Sequence, residues 1–133
     1  MRLWHYKLIE SGVLPNAMLV SQWRECIAIK RQWEKSTLKH RLVSYVMDYE
    51  KTRFAGYVLK LIYQLNNRNI KIQYKYWEEI IDFCNGIWEE PYKEHNDRYL
   101  KQCLYNLQEK ADRGIISQKE WQKIEGKFKS YLI

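Results

Sequence analysis

Residues 54–65 read FAGYVLKLIYQL. Phe54, Tyr57, Val58, Leu61, Ile62 and Leu65 recur three or four positions apart, which is one face of an α-helix and not the alternation of a strand. The stripe runs out at Asn66-Asn67-Arg68-Asn69, a polar cluster typical of a helix end. Working outward, Leu14-Pro15-Asn16 reads as a helix start, because proline is tolerated in the first turn. Leu19, Trp23, Cys26, Ile27 and Lys30 then follow one face. Ser36-Thr37 offers a cap for a second helix carrying Leu42, Val43, Val46 and Met47. Beyond the central stripe, Tyr76 to Cys84 reads as a short helix stopped by Gly86. Trp88 to Lys93, containing Pro91, reads as a connection. His95-Asn96-Asp97 caps a helix with Leu100, Cys103, Leu104 and Leu107, ending near Gly114. Ser117 begins a last helix carrying Trp121, Ile124, Phe128 and Tyr131. Strand alternation is confined to Ile70–Tyr76 (IKIQYKY), read as an extended connection. The expected fold is all-α: a single compact helical bundle over residues 1–133.

Composition bounds the function. The chain has 133 residues, 46% of them hydrophobic, enough for one domain with a packed core. Cys26, Cys84 and Cys103 are an odd number without a Cys-x-x-Cys pair, so reduced, buried thiols are expected in place of disulfides or a zinc site. Arg2, Lys7 and Glu10 interrupt any signal-peptide core, and no apolar run is long enough to cross a bilayer. A cytoplasmic protein without a membrane partner is the expectation. Net charge is +7. Residues 1–70 carry twelve Lys/Arg against five Asp/Glu, whereas residues 71–133 carry eleven of each. All the excess charge therefore lies in the first half, which points to a polyanion-facing surface.

Candidate chemistry centres on SQWRECIAIK, residues 21–30. With Leu19, Trp23, Cys26, Ile27 and Lys30 on the core face, Ser21, Glu25, Ala28 and Gln32 fall opposite. Small residues one turn either side of Glu25 leave an open wall around its carboxylate. Arg24 and Glu25 are adjacent and do not face each other on a helix, so taken alone the dyad reads as ordinary solvated surface. His40, between Lys39 and Arg41, likewise reads alone as a capping or surface histidine. The aromatic-basic mixtures QWRE, RQWEK and IKIQYKYWEE could stack bases. The chain has no Gly-rich phosphate loop, no metal-spaced His/Glu cluster and no Gly-x-Ser-x-Gly turn. An enzyme built on this sequence is expected to need neither metal nor cofactor.

Taken in order, MRLWHYKLI, LP, QWREC, KHRLVSYVMDY and EHNDRYLKQCLYNLQEK resemble the pyrimidine-dimer DNA glycosylase (endonuclease V) family. That resemblance implies a helical bundle with an N-terminal arm reaching the active site. It also implies a DNA glycosylase with AP-lyase activity on duplex DNA carrying damaged bases or abasic sites, in a bacterial or virus-infected cell. The family's nucleophile is the N-terminal α-amine, here that of Met1. An α-amine has an ordinary pKa of roughly 7.7–8.0, so part of it is free near neutrality. Glu25 matches the family glutamate at the attacked sugar. Arg2, Arg24, His40 and Lys110 match residues that grip the DNA. The chain is expected to act as a monomer.

Two positions depart from the family pattern. Residue 2 is arginine, too large for the usual methionine-removing peptidase, so Met1 is expected to stay and to bring its side chain into the site. A family arginine one turn before Lys110 falls on Asn106, which removes one grip on the phosphates or shifts it to Lys101 or Arg113. Two other readings compete: a non-catalytic DNA-binding module on the same scaffold, and a helical interaction domain whose basic face docks an acidic protein.

Overall fold

A computed structural model describes residues 1–132 as six α-helices and two short 3-10 turns, with no strand among them. The helices are α1 (Tyr6–Glu10), α2 (Asn16–Glu34), α3 (Lys51–Asn67), α4 (Tyr74–Cys84), α5 (Asp97–Asp112) and α6 (Gln118–Lys127). The 3-10 turns span Ser44–Asp48 and Lys129–Tyr131. The all-α expectation holds, and the residues predicted from periodicity form the centre. Phe54, Tyr57, Val58, Leu61, Ile62 and Leu65 are all buried in α3. That helix packs on α1, α2, α4 and the first 3-10 turn.

Helix ends follow local chemistry. Asn96 caps α5 by accepting the Tyr99 N–H at 2.9 Å. Ser117 and Glu120 form a reciprocal capping box at the start of α6. Asn85, with φ 55°, ends α4 in the left-handed conformation, one residue before Gly86. The stretch IKIQYKY is a short connection that passes into α4 at Tyr74, two residues before the predicted start.

The second helix expected from Ser36-Thr37 does not form. Those residues instead close α2: Ser36 has φ 58°, its N–H bonds the Trp33 carbonyl at 3.0 Å, and the Thr37 N–H bonds Gln32 at 2.8 Å. This is the paired bonding of a Schellman C-cap, with a serine where glycine is usual. The chain then turns through residues 41–43 into the 3-10 segment. Val43 and Val46, three apart, reach the core, while Leu42 and Met47 stay exposed. The tighter period of a 3-10 turn matches that spacing.

The expected core face of α2 is also shifted. Gln22 and Ile29 are buried alongside Leu19, Trp23, Cys26 and Lys30, whereas Ile27 is half-buried. The buried Lys30 ammonium is offset by Glu34 at 3.0 Å and Glu79 at 3.4 Å. On the face assigned to solvent, Glu25 is half-buried and accepts the Arg2 N–H. The three cysteines are free and buried.

Gly56 sits where the connection after α4 crosses α3. A Cβ there would overlap the Trp88 carbonyl group and stand 2.9 Å from the Glu89 Cα. The Trp88 N–H donates to the Thr52 carbonyl at 2.9 Å, so the crossing backbone is bonded in place. Gly56→Ala gains about 1 kcal/mol of helix propensity but must displace backbone, an overpacking cost of up to about 3 kcal/mol. The clash wins. We expect Gly56→Ala to lower the unfolding free energy by about 2 kcal/mol, seen as a lower urea midpoint at unchanged slope.

Candidate active site

The arm preceding α1 is extended, so its peptide groups need partners that no sheet supplies. Side chains from three helices provide them. The Tyr57 hydroxyl of α3 donates to the Trp4 carbonyl at 2.6 Å. The Tyr99 hydroxyl of α5 donates to the Leu3 carbonyl. From α2, Gln22 takes the Trp4 N–H on Oε1 at 2.7 Å and donates Nε2 to the Arg2 carbonyl at 2.9 Å. Leu3 and Trp4 are buried. The half-buried Met1 side chain packs against the core.

This docking brings the chain start to Glu25. The Arg2 N–H donates to Glu25 Oε2 at 3.4 Å, and Gln22 Nε2 donates to the same oxygen at 3.3 Å. The Met1 amine is three covalent bonds from the Arg2 nitrogen, within about 4 Å of it. Both donors converge on Oε2. The Arg2 guanidinium lies 5.4 Å from the centre of the Trp4 ring, a cation–π distance. Arg2 thus touches Glu25 through its backbone N–H, one peptide from the chain start.

Arg24 turns away from Glu25. It lines a surface cleft of about 420 Å³ with Trp23, Arg31, Lys71 and Tyr76. Arg31 is held by Glu79 through two bonds of 3.1 and 3.3 Å. His40 is exposed on the turn after α2, where its Nδ1 accepts the Leu42 N–H at 3.4 Å. The second helix expected to run from Ser36-Thr37 past it does not form. Lys110 lies in the last turn of α5, next to the half-buried Asn106 one turn earlier. Among the described residues, no hydrogen bond or ion pair joins His40 or Lys110 to the Met1–Glu25 cluster. Among the same residues, no group of three or more His, Cys, Asp or Glu side chains could hold a metal. No helix there is long and apolar enough to cross a membrane.

The sequence reading missed the site roles of Gln22, Tyr57 and Tyr99 and of two buried histidines, His5 at the end of the arm and His95 against it. His95 Nδ1 accepts the Tyr6 N–H at 3.1 Å, which places the proton of the neutral ring on Nε2, 2.7 Å from the Tyr45 hydroxyl. His5 is wholly buried, and its Nδ1 accepts the Lys7 N–H at 3.0 Å. Burial lowers His5 to about 4 and His95 to about 3, the latter also disfavoured by His5 beside it. His5 lies in an apolar run, and His95 was read only as part of the α5 cap.

The family comparison accords with this geometry. Residues 1–79 match the family model described as pyrimidine dimer DNA glycosylase. The match covers more than half of the chain and includes the arm, Arg24, Glu25 and His40; Lys110 lies beyond it. The chain belongs to the pyrimidine dimer DNA glycosylase family. Its class is thus DNA-repair glycosylase, with pyrimidine-dimer DNA as substrate. No curated protein and no solved structure matches the chain.

Both histidines bind protons more weakly folded than unfolded, so acid favours unfolding. Stability is full above the ordinary histidine value near 6.5 and falls as pH drops below it. Between pH 7.5 and 5.5, where carboxylates stay ionised, we expect a loss of about 1 kcal/mol per histidine. Urea unfolding across that window checks it, and a flat profile would contradict the burial of both rings.

Proposed function

We propose that the protein is a glycosylase with AP-lyase activity that uses the Met1 α-amine as its nucleophile and needs no cofactor. The amine attacks C1′ of the damaged nucleotide's sugar. The C1′–N bond to the base breaks, the base leaves with a proton, and an iminium links the enzyme to the opened sugar. Loss of a C2′ proton then expels the 3′ phosphate and cuts the strand, and water releases the enzyme. The observation supporting this reading most directly is the Arg2 N–H bond to Glu25 at 3.4 Å, one peptide from the amine, Glu25 being the only carboxylate bonded to the arm backbone among the described residues.

Glu25 has the role of stabilising positive charge on the sugar and moving protons during ring opening and elimination. Arg2, Arg24, His40 and Lys110 contact phosphates around the lesion. Arg24 suits that role, since it opens onto a basic cleft on the flank of α2 away from the carboxylate. Abasic duplex DNA is a second substrate, because it already exposes the C1′ carbon.

Borohydride reduction during incubation with abasic duplex DNA tests the mechanism. The expected result is a covalent adduct mapping to the peptide that begins at Met1. An adduct on a lysine side chain, or none, would sink it. Glu25→Gln keeps the shape and both bonds' geometry but removes the charge. We expect DNA affinity to survive while base release and strand cutting fall on the order of 10²-fold. Unchanged turnover with weakened binding would make Glu25 a structural residue.

A further inference from the structure

Gln22 is the least expected side chain near the site. It is fully buried one turn before Cys26 and three residues before Glu25, on a helix whose neighbouring buried residues are mostly apolar. A buried carboxamide is costly unless its two donors and its oxygen are engaged. Here they are. Nε2 divides its two protons between the Arg2 carbonyl (2.9 Å) and Glu25 Oε2 (3.3 Å), and Oε1 holds the Trp4 N–H (2.7 Å). The Tyr57 hydroxyl, which reaches the Trp4 carbonyl at 2.6 Å, lies 3.3 Å from the same Oε1.

We propose that Gln22 is a positioning residue: its carboxamide locks the N-terminal arm and the Glu25 carboxylate in one geometry, so that amine and carboxylate face the same sugar. This rests on the lyase reading given above. Two features single out a carboxamide. It must accept from one arm peptide while donating to another, which no purely donating or accepting side chain does. It must also donate to Glu25, which a second carboxylate cannot do. Both bonds to Glu25 fall on Oε2, so the carboxylate is prevented from rotating while Oε1 stays presented.

Gln22→Glu and Gln22→Met separate these roles. Glutamate keeps the acceptor for Trp4 but loses both donors and sets a like charge beside Glu25. Methionine keeps volume and removes all polarity. For both we expect borohydride adduct formation on abasic duplex to slow by at least about tenfold, since displacement of about 1 Å can cost on the order of 10²-fold. Duplex affinity should stay within about threefold. Only Gln22→Glu should move the acid limb of the pH–rate profile to higher pH, because neighbouring carboxylates resist ionising together. A merely structural residue would not produce that split.

Hydrogen exchange at the Trp4 amide reads the arm without requiring turnover. It should accelerate in both variants while amides in the centre of α3 remain as in the native protein. If the native protein itself forms no adduct, the lyase reading falls and the exchange data still judge the arm. If both variants fail to fold, Tyr57→Phe decides, since it frees the same Trp4 junction from the other side: slower trapping with faster Trp4 exchange supports the proposal. Native trapping rates, pH profile and Trp4 exchange in a folded variant overturn it.

Discussion

The docking of an extended chain start into a helical core constrains most of what surrounds it. Chain termini are ordinarily poorly ordered unless something ties them down. Here Leu3, Trp4 and His5 are buried, and an extended backbone taken out of water must have its peptide groups matched. The partners come from α2 (Gln22), α3 (Tyr57), α5 (Tyr99) and the residue before the α5 cap (His95). Those four side chains are 18 to 96 residues from the peptide groups they serve. Each helix must therefore stand at the right height and rotation for the arm to be satisfied.

Several apparently separate features follow from that requirement. The absent side chain at Gly56 lets the Trp88 backbone lie against α3, and Arg53 fastens the same connection through the Pro91 carbonyl at 3.2 Å and Glu90 at 3.1 Å. This connection delivers His95 to the Tyr6 amide. Neutral histidine is needed there, because a protonated Nδ1 has no lone pair to accept the bond. The burial that lowers the pKa of His95 thus also preserves its hydrogen bond to the arm.

Helix α2 divides its labour by direction. One flank carries Gln22 and Glu25 against the arm, and another carries Arg24 toward the cleft with Lys71 and Tyr76. Side chains one residue apart on a helix diverge by about 100°, so Arg24 and Glu25 can be adjacent in sequence and still face different surroundings. The excess positive charge of residues 1–70 is spread over the same segment that supplies both flanks.

Much of the fold was legible because its signals are local. The α3 stripe, the Asn96 and Ser117 caps and the α5 periodicity depend on neighbours within about one turn. Ser36-Thr37 was misread because a serine before a polar run can open one helix or close another, and only its φ of 58° decides. At the site, Met1, Arg2, Arg24 and Glu25 were marked by motif and resemblance; the Arg2 N–H bonds Glu25, while Arg24 lines the cleft. Gln22, Tyr57, Tyr99 and His95 carried no comparable signal, since neither a stripe nor a cap position reveals which distant peptide group a side chain will bond. Sequence alone thus determined helical content, the basic first half and the family. Tertiary structure decided which polar groups are buried and how the chain start is held, because those depend on hydrogen bonds between residues that only the fold brings within about 3 Å.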